Sequence, residues 1–156
     1  MSNSHIIKEI LSYDKILMGV GQGVYRRDNL PIDSDQWDEI IQYTSKGHRW
    51  KNINKLILKL IGHSDYFIIT SSWDSHLHES IPKEQIYTPL GNCKKLQCYN
   101  SCSNKLWDIN DFIDFKNQPL CPNCGSKLIM NTKTDSLFID DPYTSQESNF
   151  HNWIHT

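Results

Sequence analysis

The spacing of apolar and polar residues along this chain predicts an α/β protein. Apolar residues recur at helical spacing from about residue 4 to residue 13, from 35 to 43 and from 50 to 61. Between these helices, Lys15 to Met18 and Tyr66 to Thr70 are typical of two buried strands. A strand, a long helical crossover and a second strand favour parallel pairing with a right-handed connection. The expected fold class is therefore α/β, built on a partial Rossmann-like parallel sheet.

The third of these helices has the clearest apolar stripe, and Gly62 follows it where a left-handed residue commonly ends a helix. Further along, Thr144-x-x-Glu147 predicts a capping box that opens a final helix with Phe150, Trp153 and Ile154 facing inward. The stripe and the two strands supply the residues expected to pack the core. These are Ile16, Leu17, Leu56, Leu60, Phe67 and Ile69.

Two cysteine pairs lie between the second strand and the final helix, spaced C-x3-C and C-x2-C. Each spacing is short enough for one turn to direct both sulfurs at a single point, and four thiolates satisfy a closed tetrahedral zinc site. Pro122 and Gly125 suit the second turn, the glycine by adopting a left-handed backbone. Two disulfides, or buried cysteines that share this spacing by coincidence, are the alternative. The predicted zinc ligands are Cys98, Cys102, Cys121 and Cys124.

Composition narrows the class of protein. The 156 residues carry 16 basic and 18 acidic side chains, so a net charge of -2 gives no global attraction to nucleic acid or to an anionic membrane. The longest apolar runs are too short to cross a bilayer, and the first residues do not resemble a signal peptide. Five cysteines, four of them in metal spacing, suit a reducing compartment, and we expect a cytoplasmic protein. Cys93 is then an ordinary thiol near the ribbon, or a fifth or alternative ligand.

Two further segments follow the predicted strands. Gly19, Gly21 and Gly23 form a glycine-rich turn after the first strand, where an α/β sheet can bring backbone amides close to a phosphate, although glycines here often form only a tight turn. After the second strand, Asp74 and two histidines, His76 and His78, suggest either a metal or acid–base set or a capped short helix with exposed histidines.

The order of these features resembles the sirtuins, the NAD-dependent protein deacylases, and especially their bacterial-type members. The resemblance implies that Gly19, Gly21, Gly23 and Asp74 contact NAD. It also implies a Rossmann-like core at residues 1–92 and 127–156, with a four-cysteine zinc ribbon inserted at residues 93–126. The matching segments are Lys15 to Gly23, Gly47-His48-Arg49, Tyr66 to Asp74, Ile86 to Gly91, Leu96 to Cys102 with Trp107, Cys121 to Gly125, and Gln146 to Phe150.

Departures from the family pattern change the functional expectation. Val20 replaces an alanine of the glycine loop, Ser72 replaces an asparagine that contacts the nicotinamide ribose, and Leu90 replaces the general-base histidine. The sequence also stops at Thr156, before the strands that hold the adenosine half of NAD in sirtuins. We therefore expect no catalytic residue and doubtful NAD binding in a truncated, degenerate member that acts as an interaction module or is a remnant. The alternative is an NAD-dependent deacylase or an ADP-ribosyltransferase.

Partner expectations follow from the same residues. We expect a protein partner, no nucleic acid and no membrane, and oligomer formation is left open. A nucleic-acid-binding ribbon is a further hypothesis, because residues 93–133 carry an excess of lysine, but the charge of about -2 on a zinc tetrathiolate would offset that excess. Because the ribbon depends on metal and the core on apolar packing, we also expect the two to be separable in stability.

Overall fold

The computed structural model describes residues 3–10, 12–21, 37–38, 40–41, 51–62, 64–72, 77, 80–133 and 137–156. A parallel sheet contains β1 (Lys15–Val20), β2 (Asp65–Thr70) and β3 (Ile86–Tyr87), in the order β1-β2-β3. β1 and β2 pair in register from Lys15 opposite Asp65 to Val20 opposite Thr70. Helix α1 (Asn3–Ile10) precedes β1, and α2 (Lys51–Ile61) lies between β1 and β2. The predicted α/β class with a parallel sheet is confirmed.

Helix α2 packs on one face of this sheet. Its buried residues Ile57 and Ile61 join Ile68 of β2 in a core cluster that also contains Val20 and Ile86. Gly62 ends the helix with φ 58°, as its position in the sequence predicted, and its N–H donates to the carbonyl of residue 58 over 3.1 Å.

Helix α3 (Asp141–His155) covers the opposite face of the sheet. Phe67 is fully buried there, with its ring centroid 5.3 Å from that of Phe150 and 5.6 Å from that of Trp153. Successive side chains of a strand point to opposite faces, so Phe67 meets α3 while Ile68 meets α2. Burying a phenylalanine side chain of this kind stabilises a fold by about 2–3 kcal/mol relative to leaving it exposed.

A second sheet is antiparallel, with β4 (Gly91–Cys98) at its centre between β5 (Trp107–Asp108) and β6 (Leu128–Thr132). A short 3-10 helix, Ile109–Phe112, follows β5, and the Asp108 carboxylate caps it by accepting from the Asn110 N–H over 2.9 Å. This sheet spans residues 91–132, and the domain boundaries expected at residues 93 and 126 stay a prediction.

Three apolar residues expected to face inward are exposed instead. Leu17 is 50% exposed, Leu56 60% and Ile154 48%. The buried face of α2 runs through Ile57 and Ile61, so Leu56, about 100° away around the helix, points outward. On the other face, α3 covers Phe67 of β2 and leaves its cross-strand neighbour Leu17 partly uncovered.

The capping box predicted at Thr144 is wrong. The helix begins three residues earlier, at Asp141, with a proline in its first turn, where the missing N–H costs nothing. Thr144 therefore lies inside α3, and its carbonyl accepts from the Ser148 hydroxyl over 3.1 Å. None of the helices in the described parts of the chain combines the length and the apolar character that a membrane crossing needs.

Candidate metal centre

The first cysteine pair lies in a tight turn at the end of β4, which we call the first knuckle (residues 98–102). Cys98 is the last residue of the strand and is fully buried. Its carbonyl accepts from the Ser101 N–H over 2.9 Å, and Ser101 has φ 45°. A left-handed backbone is uncommon for serine and places Cys102 beside Cys98. This role of Ser101 is not predictable from the sequence, because serine carries no strong preference for the left-handed region.

The second pair lies in the second knuckle (residues 121–125). The Cys121 N–H donates to the Ser126 carbonyl over 2.6 Å, and the Gly125 N–H donates to the Cys121 carbonyl over 2.8 Å. Gly125 has φ 74°. The left-handed turn predicted for this glycine is therefore confirmed, and any other residue would be strained at that backbone angle.

The two knuckles bring four sulfurs together. All four Sγ atoms lie within 4.8 Å of one another, with 3.5 Å between those of Cys98 and Cys124 and 3.5 Å between those of Cys102 and Cys121. A zinc tetrathiolate with Zn–S distances of about 2.3 Å has tetrahedral edges of about 3.8 Å. A disulfide would need an S–S distance of about 2.05 Å, and the cysteines are free thiols. The four sulfurs could hold a metal ion, and their donor set and spacing fit zinc.

Hydrogen bonds shift the pKa values of two of these thiols, Cys98 and Cys102, in opposite directions. Burial raises the pKa of Cys98, but the Cys102 backbone and the Cys124 side chain hydrogen-bond to its sulfur and bring its pKa to about 7. Hydrogen bonds with the Cys124, Cys121 and Cys98 side chains raise the pKa of Cys102 to about 12. Without a metal, the Cys102 thiol would therefore keep its proton at neutral pH. A bound divalent cation deprotonates its thiol ligands and so makes all four available.

An apolar cluster surrounds the buried side of this centre. Cys98 and Cys121 pack there with Trp107, and the helical residues Trp37 and Ile40 pack against the same cluster. The Trp37 indole N–H also donates to a carbonyl at residue 115 over 3.0 Å. The group of four sulfurs does not include Cys93, which is buried in the same cluster. Cys93 is thus placed as a core residue rather than as a fifth ligand.

A buried polar network that no sequence motif predicted adjoins the metal centre. The Gln97 side-chain carbonyl accepts from the Asn131 amide over 2.7 Å and from the Ile139 N–H over 3.1 Å. Asn131 also donates to the Ile139 carbonyl over 3.0 Å and accepts from the Tyr143 hydroxyl. Burial, followed by the nearby Cys93, raises the pKa of Tyr143. The only signal for this network in the sequence is the pair of amide side chains of Gln97 and Asn131, which lie at buried strand positions.

The residues expected to contact a cofactor are only partly described. Gly19 lies near the end of β1 and Gly21 follows the strand; both are exposed, and an added Cβ at either would meet nothing within 4 Å. Gly23, Asp74 and the two nearby histidines lie outside the described residues. Ser72 is buried after β2, where its N–H donates to the Thr70 hydroxyl over 3.0 Å. The four cofactor-binding residues stay a prediction.

Leu90 lies in the turn that leads from β3 into β4 and is half-buried. Its carbonyl accepts from the Lys133 N–H over 2.9 Å. The next residue, Gly91, has φ 89°, and an added Cβ would collide with the Asn131 carbonyl. The side chain of Leu90 is aliphatic and can neither accept nor donate a proton.

Comparison with known proteins places this arrangement in a known fold. Solved sirtuin structures match 85% of the chain at 16% identity, among them one on sirtuin substrate affinity, with a TM-score of 0.52, and a Sir2–p53 peptide–NAD+ complex, with a TM-score of 0.51. The chain has the sirtuin fold. The resemblance predicted from the sequence is thereby confirmed at the level of the fold.

The sirtuin-like chain spans 63% and 64% of those two solved chains. It is also 26% identical over 151 residues to a probable bifunctional ADP-ribose hydrolase/ADP-ribosyltransferase from Fusarium oxysporum f. sp. cubense, covering 83% of this chain and 25% of that protein. No protein-family model matches the chain.

Proposed function

We propose that this chain is a zinc-binding, sirtuin-like protein that does not deacylate lysine. The observation that carries the zinc assignment is the group of four cysteine sulfurs within 4.8 Å of one another. Four thiolates and no open coordination position make the metal structural rather than catalytic, because a catalytic zinc keeps one position for water or substrate. The metal would then stabilise the fold and leave the chemistry to other residues.

The absence of deacylation rests on Leu90. In sirtuins the residue that the resemblance aligns with Leu90 is a histidine that takes a proton from the nicotinamide ribose. A general base contributes about 10²–10⁴ to a rate, and an aliphatic side chain cannot replace it. Ser72, at the position of a family asparagine, further weakens the expected contact with the nicotinamide ribose. If NAD binds, Gly19, Gly21, Gly23 and Asp74 are the residues we expect to hold it, and NAD would supply the ADP-ribosyl group.

Nicotinamide release from NAD tests this proposal. The zinc-loaded chain and its Leu90→His variant would be incubated with NAD and a panel of acyl-lysine peptides. We expect no acyl-dependent release from either protein, because a base without an oriented cofactor contributes little. Acyl-dependent turnover by the unmodified chain would contradict the proposal.

ADP-ribosyl transfer is a second candidate function, favoured by the similarity to the probable ADP-ribose hydrolase/ADP-ribosyltransferase from Fusarium oxysporum f. sp. cubense. A transferase would consume NAD and release nicotinamide without an acyl substrate, whereas the zinc-binding protein proposed above would consume no NAD. Labelled NAD offered with protein acceptors distinguishes them: our proposal expects no transfer of label, whereas acyl-independent transfer would favour the transferase.

We propose a binding role instead, with a protein partner and without nucleic acid or a membrane, and self-association is a further option. A zinc tetrathiolate is compatible with the reducing cytoplasm, which we propose as the location. Sedimentation of the zinc-loaded chain measures its oligomeric state. Salt-titrated binding to DNA and RNA tests the exclusion of nucleic acid, since phosphate contacts weaken steeply with added salt.

A further inference from the structure

Helix α3 contacts both sheets, one at each of its ends. At its start, the Asp141 carboxylate accepts from the Asn104 amide over 2.6 Å, and the Tyr143 hydroxyl donates to buried Asn131 of β6. At its end, the Trp153 indole N–H donates to the Asp65 carboxylate over 2.8 Å, at the start of β2. The helix therefore connects the metal-binding sheet to the parallel sheet.

The segment before α3, residues 137–140, is hydrogen-bonded to the first knuckle. The Ser101 hydroxyl donates to the Leu137 carbonyl over 2.5 Å, and the Gln97 amide donates to the same carbonyl over 3.0 Å. Gln97 also accepts from the Ile139 N–H over 3.1 Å. Ser101 immediately precedes the ligand Cys102, so the position of the Leu137 carbonyl depends on the conformation of the knuckle.

That conformation is one that a serine does not favour on its own. Ser101 has φ 45°, and its hydroxyl donates to the Leu137 carbonyl from this left-handed backbone. A metal bound by Cys98 and Cys102 fixes the chain on both sides of Ser101. Without the metal, the unfavourable backbone angle opposes the contact, and Ser101 can relax to the right-handed or extended regions that serine prefers.

The C-terminal half of α3 covers apolar side chains of the parallel sheet. Phe67 is fully buried beneath the Phe150 and Trp153 rings. Gln146, midway along the helix, accepts from both the N–H and the hydroxyl of Thr88, over 2.9 Å and 3.1 Å. Displacement of α3 would therefore expose apolar surface on one face of the parallel sheet. The opposite face stays covered by α2.

We propose that the metal at the first knuckle controls the docking of α3 on the parallel sheet, through Ser101 and Asn104. The inference rests on the metal binding proposed above. Metal loss would then free one face of the parallel sheet while leaving α2 in place. Exposure of the sheet face that carries Phe67 would then depend on metal supply or on the redox state of the sulfurs.

Hydrogen exchange followed by mass spectrometry tests the proposal on the full zinc-loaded chain. Exchange of residues 141–155 and 51–61 would be measured before and after a chelator, with metal content determined on the same samples. We expect exchange in α3 to rise at least tenfold together with that of residues 98–102, while α2 changes by less than about twofold.

Variants separate the contact from the metal. Ser101→Ala and Asn104→Ala each remove one hydrogen bond to the α3 side and spare every ligand. Each should accelerate exchange in α3 by about two- to tenfold with one zinc still bound. Ser101→Gly should act like Ser101→Ala on α3, although it relieves the strained backbone. Asn100→Ala is the matched control, because the Asn100 amide donates to the Ser126 hydroxyl over 2.8 Å and not to the α3 side, so the variant should leave α3 unchanged.

Each outcome separates the two proposals. A chain that neither carries nor takes up zinc contradicts the proposed function, and this inference with it. If the chain binds zinc but hydrogen exchange in α3 does not change when the chelator removes the metal, this inference alone is contradicted. The same holds if neither alanine variant changes that exchange. Equal loss of protection in α2 and α3 also overturns it, because the metal would then maintain the whole fold.

Discussion

In the described part of the chain the two sheets have three strands each, but they differ in the interactions that stabilise them. The parallel sheet depends on apolar side chains packed on both faces, such as Ile68 against α2 and Phe67 against α3. The antiparallel sheet also packs an apolar cluster, around Trp107, and it adds a group of four sulfurs at one end and a hydrogen-bonded set of buried amides. Apolar packing is graded, since each side chain contributes in proportion to the area it buries. A metal centre is closer to all-or-none, because the remaining ligands lose most of their affinity when one is removed.

The largest expected effect is the loss of a sulfur ligand. Cys98→Ser and Cys121→Ser should each abolish stoichiometric zinc binding and unfold the antiparallel sheet, because metal binding contributes about 10–16 kcal/mol in small structural sites. Metal analysis and circular dichroism measure the two consequences. Cys93→Ala is the control: it removes a buried sulfur of the same sheet that is outside the group of four, so zinc should stay bound. Stoichiometric zinc in either serine variant would show that the four sulfurs are not the site.

Acid should release the metal through the same sulfurs. Zinc binds thiolates, so protons compete with it, and affinity falls as the pH decreases. Release of zinc followed with a colorimetric chelator should therefore increase below neutral pH and reverse when the pH is restored. Release that is independent of pH would indicate ligands other than thiols.

In the parallel sheet the largest effect should come from Phe67. Phe67→Ala removes the side chain that the Phe150 and Trp153 rings cover, and we expect a loss of about 3–5 kcal/mol in the free energy of unfolding. Leu17→Ala is a matched control, because Leu17 lies directly opposite Phe67 on the neighbouring strand but is 50% exposed. Its expected cost is about 1 kcal/mol or less. Similar losses for the two variants in denaturant titrations would contradict the burial described above.

These positions show which features a sequence can predict. The spacing of the cysteines was sufficient for the metal cluster, because the ligands of each knuckle are close in the chain and local turns set their geometry. Gly62 and Gly125 were predictable for the same local reason. The exposure of Leu17 and Leu56 was not, because periodicity gives the apolar side of an element but not which part of it another element covers.

Long-range polar contacts could not be predicted from the sequence either. Gln97, Asn131 and Tyr143 form one network only because β4, β6 and the start of α3 are adjacent in space. The start of α3 was misplaced at Thr144 because a capping motif was visible locally, whereas the contact between Asn104 and Asp141 joins residues 37 positions apart. Propensity identifies candidate termini, and tertiary contacts choose between them.

A smaller effect is expected within the polar network. Tyr143→Phe removes the hydroxyl that donates to Asn131, leaving a buried amide oxygen without that donor. We expect a loss of about 1–3 kcal/mol in the free energy of unfolding, with zinc still bound. Tyr99→Phe, which removes a hydroxyl from a residue 56% exposed in the first knuckle, should change stability by less than about 0.5 kcal/mol. Equal stability of the two variants would mean that the network is not a source of stability.

The smallest effect should come from the ion pair between Asp108 and Lys95, whose charged atoms lie 3.1 Å apart in the antiparallel sheet. Burial raises the pKa of Asp108, but the Asn110 backbone N–H and the Lys95 ammonium outweigh it, so the net shift is downward. A lowered pKa contributes stability that is present above the unfolded-state value of about 3.9 and is lost as the pH falls through the folded-state value.

Solvent screening limits the size of this contribution, because the Lys95 and Asp108 side chains are 42% and 38% exposed. We expect Asp108→Asn to cost less than about 1 kcal/mol at neutral pH. We expect acid to release zinc from both proteins, so the informative quantity is the difference in stability between variant and parent at each pH. That difference should shrink toward zero as the pH falls below about 4. Asp111→Asn, at an exposed position of the adjacent 3-10 helix, is the control and should change stability by less than about 0.5 kcal/mol at neutral pH. A difference that grows as the pH falls would show that Asp108 destabilises the folded state.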